Sequence, residues 1–127
     1  MDETRLLRIL AVDDEPTLVG LIGRVLTADG HEVVTATTPE AALEHLESGH
    51  FDLLITDLGL GPGMSGWDLI ERARAGRPEI RVVLGTGWGA EIDPETTRER
   101  GVEAVISKPY RVEALRRAVA GVADRAE

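Results

Sequence analysis

The sequence predicts an α/β domain built on a single doubly wound, five-stranded parallel sheet flanked by five helices. Three observations carry this. Five short apolar runs alternate with five stretches of helical periodicity, the pattern of strands joined by crossover helices. The third run, FDLLITD at 51–57, is apolar through its middle without alternation, as a strand covered on both faces must be. Aromatic residues make up 3% of the chain against 43% hydrophobic residues in all, so the core must come from Leu, Val, Ile and Ala.

Taken in order, RILAVD (8–13) reads as a buried first strand. The helix after it opens with Pro16 in its first turn, places Leu18, Leu21, Ile22, Val25 and Leu26 on one face, and stops at Gly30. HEVVTA (31–36) is the second strand. Thr38 and Pro39 have the N-cap and first-position chemistry that opens a helix to about Ser48. After the third strand a glycine-rich loop at 59–66 leads to a helix near 67–75. RVVLGT (81–86) is the fourth strand, Asp93 and Pro94 cap a short helix ending before Gly101, and EAVIS (103–107) is the fifth strand. A last helix spans 111–123, with Val112, Leu115, Val119 and Val122 expected to face inward. The domain is therefore expected over 7–123, with 1–6 and 124–127 as short flanking termini, in a chain of 127 residues, the size of one ordinary domain.

Composition excludes several functions. The chain has no cysteine, hence no disulfide, thiolate metal site or cysteine nucleophile. Its formal net charge of −9 argues against a direct hold on a nucleic-acid backbone. No apolar run approaches the roughly 18 residues needed to span a bilayer. The acidic N-terminus is a poor signal peptide, so a cytoplasmic setting is expected.

Right-handed crossovers leave few topologies for such a chain; one is the flavodoxin-like order 2-1-3-4-5, whose ligands bind at the carboxyl ends of the strands. At those ends stand Asp13 and Asp14 after strand 1, Asp57 at the end of strand 3, Thr86 at the end of strand 4, and Lys108 just past strand 5. Each alone has an ordinary reading as a helix cap, turn hydroxyl or surface charge. Together, on one edge of one sheet, they describe a site. Three carboxylates repel unless a cation neutralises them, and a hard divalent ion with oxygen ligands, most simply Mg²⁺, fits. A hydroxyl and an ammonium beside them suit phosphate contacts, and an aspartate can be the nucleophile that receives a phosphoryl group.

The motifs ILAVDDEP, DLLITDLGLGPGMSG, VVLGTG and VISKPY, in this order and spacing, resemble the receiver domain of bacterial two-component response regulators. The resemblance covers about residues 7 to 123. It implies that Asp57 is the phosphoacceptor, charged by a histidine of a sensor kinase or phosphotransfer protein, and that the domain catalyses its own phosphorylation and dephosphorylation. It implies a Mg²⁺ (or Mn²⁺) site in which Asp14 binds directly and Asp13 largely through water, with Asp57 and the backbone carbonyl of Gly59 completing the ligands. Thr86 and Lys108 would contact phosphoryl oxygens, and the Lys108–Pro109 peptide would be cis. The phosphorylated domain would then control a downstream partner or attached domain.

Three departures from the family pattern stand out. The loop after Asp57 is one residue longer, so that Gly66 lies nine positions on rather than eight. The family's switch aromatic, three residues before the lysine, is Val105. Small Gly87 and then Trp88 follow Thr86; Trp88 either lies across the site entrance or packs on the fourth helix. Tyr110 is expected to pack at the start of the last helix, Trp67 beneath its own helix, and His31, His45 and His50 at the surface or at helix ends. Arg111, Arg116 and Arg117 read as a solvated face.

Other classes fit less well. A haloacid-dehalogenase-type phosphatase needs a carboxylate two residues after the nucleophile, where this chain has Gly59. A flavodoxin wants a Ser/Thr-rich phosphate loop after strand 1, where this chain has DDEP. A pseudo-receiver, acting as an interaction module without phosphorylation, would lack part of the acidic set. A stand-alone receiver and the excised receiver of a hybrid histidine kinase both agree with the pattern.

Overall fold

A computed structural model describes residues 6–60, 63–87, 94–108 and 110–125. In chain order they form β1 (Arg8–Val12), α1 (Pro16–Ala28), β2 (Glu32–Ala36), α2 (Pro39–Ser48), β3 (Leu53–Asp57), α3 (Gly66–Gly76), β4 (Arg81–Thr86), α4 (Pro94–Glu99), β5 (Ala104–Ser107) and α5 (Val112–Arg125). The strands pair in parallel in the order β2-β1-β3-β4-β5, as the sequence predicts.

Strand periodicity divides the apolar residues between two cores. Ile9, Ala11, Leu53, Ile55, Val83 and Ile106 face α1 and α5. Leu10, Val12, Leu54, Val82 and Leu84 face α2 and α3. Every residue of β3 is buried, which is why its sequence shows no polar alternation. Each fully buried Leu or Ile contributes about 1.5–3 kcal/mol relative to exposure.

The helix ends follow their local chemistry. The Thr38 hydroxyl accepts the Ala41 N–H at 3.1 Å and Pro39 opens α2. Gly30, at φ 99°, ends α1 in a backbone conformation other residues seldom take. α3 starts on a capping box that sequence reading missed: Ser65 Oγ accepts the Asp68 N–H at 3.2 Å, and Asp68 Oδ2 accepts the Ser65 N–H at 3.0 Å. Asp93, the expected cap of α4, lies outside the described residues.

Two expectations are corrected. Val112 is not inward but 38% exposed; Leu115, Val119, Val122 and Ala123 form the buried row of α5, and the buried Tyr110 ring fills that end of the core instead. His31 lies at the end of α1, where its N–H donates to Leu26 O at 3.1 Å, but it is not at the surface: it is 6% exposed, and its Nδ1 accepts the Leu7 N–H at 3.0 Å, a donor just ahead of β1. Burial lowers its pKa, with Asp29 opposing in part. Trp67 packs partly buried against the α2–α3 core, with the Arg100 guanidinium 4.5 Å from its ring centroid. Arg111 and Arg117 are solvated as expected, while Arg116, also exposed, reaches Asp29 at 3.0 Å.

Candidate functional site

The parallel order brings the carboxyl ends of β1, β3, β4 and β5 to one edge, and the site is assembled from the residues that end or follow them. The Asp13 N–H donates to Ala36 O at 3.2 Å, extending the ladder one residue beyond β1. That anchors Asp13, whose side chain is fully buried. Its Oδ1 accepts the Glu15 N–H at 2.9 Å, an Asx-type turn that starts the chain toward α1. Asp14, next in sequence, is exposed. Asp57 is the last residue of β3, opposite Gly85 in register and 7% exposed. Thr86 is the last residue of β4, 6% exposed. Its carbonyl accepts the Lys108 N–H at 2.7 Å, which fixes where the lysine side chain begins.

That side chain ends between the two buried aspartates. Lys108 Nζ donates to Asp57 Oδ2 at 2.9 Å and lies 3.0 Å from Asp13 Oδ2. Burial works to lower the lysine pKa, but its contacts with Asp57 and Asp13 and their charges outweigh it, and the net shift is upward. The ammonium therefore stays charged.

One ammonium does not balance the pocket. Among the described residues, Asp13, Asp14 and Asp57 each offer a carboxylate oxygen, and these oxygens all lie within 4.8 Å of one another. Three carboxylates less one ammonium leave two negative charges. Asp13 Oδ2 is buried and makes its ion-pair contact without an aligned hydrogen bond. An oxygen donor set with two uncompensated charges and a free buried lone pair fits a hard divalent cation such as Mg²⁺.

The loops adapt around this centre. Despite the added residue in the loop after Asp57, Gly66 returns to the end of β3: its N–H donates to Leu58 O at 2.8 Å. A β-carbon at Gly66 would overlap the Asp57 carbonyl oxygen, so only glycine allows α3 to start this close to the site. Gly59 sits on the exposed loop two residues past Asp57, with open space around it. Gly87 is half-buried, and a β-carbon there would touch the Lys108 Cδ at an ordinary 3.5 Å. Trp88 and the Lys108–Pro109 peptide fall outside the described residues. Val105 is 42% exposed on β5.

Tyr110 does more than the packing expected of it. Its ring is buried in the α1–α5 core, yet its hydroxyl lies over Gly85, between the strand positions of Asp57 and Thr86. Burial raises its pKa and the Asp13 and Asp57 carboxylates raise it further, so the phenol is a neutral donor beside the pocket. The sequence offers only a glycine after the aliphatic run Val82–Leu84, and nothing local names the residue that fills the space above it.

The sequence model of the family described as "Response regulator receiver domain" matches residues 9–120. The chain is 32% identical over 108 residues to the transcriptional regulatory protein TcrA of Mycobacterium tuberculosis, covering 85% of this chain and 42% of that protein. It is 33% identical over 111 residues to the transcriptional regulatory protein GlrR of Escherichia coli K12, covering 87% of this chain and 25% of that protein. The chain thus spans less than half the length of these relatives. Among solved structures, a CheY-like response regulator receiver domain protein from Methanospirillum hungatei JF-1 superposes with a TM-score of 0.84 at 30% identity, covering 94% of this chain and 95% of that one. A response regulator receiver domain protein from Clostridium thermocellum superposes with a TM-score of 0.84 at 28% identity, covering 95% of this chain and 97% of that one.

Proposed function

Because the chain belongs to the response regulator receiver domain family, we propose that it accepts a phosphoryl group from a phosphohistidine onto Asp57 and so switches a downstream partner or attached domain. The donor is a sensor histidine kinase or a histidine phosphotransfer protein of a two-component system or phosphorelay. The observation that carries this reading is Lys108 Nζ held 2.9 Å from Asp57 and 3.0 Å from Asp13, in a pocket of three converging carboxylates.

In the transfer, an Asp57 carboxylate oxygen attacks phosphorus while the P–N bond to the donor imidazole breaks. The bonding pair leaves with the imidazole nitrogen, and a mixed anhydride forms on Asp57. Lys108 moves from the carboxylate to a phosphoryl oxygen without changing charge. Thr86 supplies a hydroxyl from the adjacent strand end as a neutral donor. Water attack on the anhydride phosphorus breaks the new O–P bond and restores Asp57. Asp13, Asp14, Asp57 and the Gly59 carbonyl would hold Mg²⁺, or Mn²⁺ with the same donor set, which when bound would supply the positive charge that offsets repulsion among carboxylates and phosphoryl oxygens.

The net charge of −9 supports signalling by protein contact rather than direct nucleic-acid binding by this domain. Among the described residues no helix is long and apolar enough to cross a membrane. A cytoplasmic setting, where histidine kinases present their phosphohistidine, suits the proposal. Acetyl phosphate tests the chemistry without a cognate kinase: intact-mass measurement should show one phosphoryl group per chain with Mg²⁺, and none with EDTA or in Asp57→Asn. Uptake in Asp57→Asn at the wild-type level refutes the acceptor assignment.

A further inference from the structure

Tyr110 reaches the acidic pocket through a gap in β4. A β-carbon built on Gly85 would overlap the phenol oxygen, and would stand 2.8 Å from Cζ and 3.0 Å from Cε1. The tip of the tyrosine thus occupies the space that any other residue at 85 would fill. Gly85 is the register partner of Asp57 and the residue before Thr86, so the phenol lies against the strand that sets both. Lys108 Nζ stands 5.9 Å from the ring centroid. At the other end of the residue the backbone runs directly into α5, whose ladder begins with the Leu115 N–H donating to Arg111 O at 3.0 Å.

We propose that Tyr110 is a positioning residue whose hydroxyl, seated over Gly85, serves the Asp13 side of the pocket and links the pocket's charge arrangement to the start of α5. The proposal rests on the phosphoacceptor reading above. In the resting pocket one ammonium serves both Asp13 Oδ2 and Asp57 Oδ2. Once Asp57 carries a phosphoryl group, Lys108 follows the new oxygens and Asp13 loses that contact. The phenol, which already engages Asp13, is then its neighbouring neutral donor, and a readjustment of Asp13 carries the hydroxyl and with it the ring. The ring is clamped among Leu115, Val119 and the other residues of the α1–α5 core, so its shift is felt at the first turn of α5. The β5 position three residues before Lys108 is Val105, which offers no aromatic ring for the same task.

Tyr110 is the only tyrosine in the chain, so ¹³Cζ-tyrosine labelling gives one resonance that needs no assignment. That resonance should move when beryllofluoride, a phosphoryl mimic, is added with Mg²⁺. In Tyr110→Phe, which keeps the ring and the packing, the amides of 56–58 should still respond. The amide shifts across 112–118 should fall to less than half their wild-type size. Gly85→Ala, which displaces the hydroxyl while leaving the tyrosine in place, should show the same loss; if it does not fold, Tyr110→Phe alone decides. A wild-type tyrosine resonance that stays still while the Asp57 amide moves overturns the proposal, as does an undiminished α5 response in Tyr110→Phe. If the Asp57 amide itself is silent in folded wild-type protein, the phosphoacceptor reading fails, and this proposal falls with it.

Discussion

Lys108 is the single lysine among 14 Lys and Arg residues, the other 13 being arginines. The geometry gives a reason for it. Two oxygens from different side chains, 2.9 and 3.0 Å from one nitrogen, suit a compact ammonium. A planar guanidinium prefers two parallel contacts to one carboxylate and is larger. The Lys108 N–H is pinned to Thr86 O, so the backbone cannot step back to make room. Lys108→Arg should therefore keep the fold and Mg²⁺ binding but slow phosphoryl uptake about tenfold or more, the equivalent of one charge-assisted contact worth about 1.5–3 kcal/mol. Time-resolved uptake from acetyl phosphate measures this, and wild-type rates would show that charge alone suffices. At this scale the convergence of Asp13, Asp57, Thr86 and Lys108 was readable because each ends a strand or directly follows one, and strand ends can be counted along the chain. His31 and the Tyr110 hydroxyl were not. Their roles depend on partners at Leu7 and Gly85, and no local pattern marks a pairing across 24 or 25 residues.

Elements were legible where periodicity and caps agree. β4 and α2 fall where their apolar runs and Thr38–Pro39 put them. α3 begins at Gly66 on a capping box, and Ser65→Ala should cost about 1 kcal/mol of stability, measured by urea unfolding. Val112 was misplaced because a helical wheel assumes core beneath the first turn, and here the Tyr110 ring has taken that space. The start of β2 carries a pH dependence. His31 must be neutral to accept the Leu7 N–H, and burial holds its pKa below its ordinary 6.5. As pH falls the unfolded chain takes up this proton first. The histidine's contribution is thus full above about 6.5 and is lost as pH drops from there through the lower folded-state value. Urea midpoints at about pH 7.5 and 5.5 should differ more in wild type than in His31→Gln; equal differences would contradict the assignment.

For the whole molecule, topology was the most legible feature, since five alternations and right-handed crossovers leave little choice of strand order. What the order could not reveal was how the longer loop after Asp57 closes; that depends on Gly66 meeting the Asp57 carbonyl, a contact between two ends of one loop. Converging three carboxylates on one edge leaves the fold with a charge defect that a divalent ion would relieve. Mg²⁺ at about 100 times its Kd should stabilise the native state by about 2.7 kcal/mol, and Asp14→Ala should lose most of that gain in a melting experiment. Equal gains in both proteins would remove Asp14 from the metal site. The central claim is that the pocket directs a phosphoryl group onto one carboxylate of the three. Borohydride reduction of the acyl phosphate formed from acetyl phosphate converts the modified aspartate to homoserine, which peptide mass spectrometry locates. The account predicts homoserine at position 57 alone; homoserine at 13 or 14, or none in folded protein with Mg²⁺ bound, would contradict it.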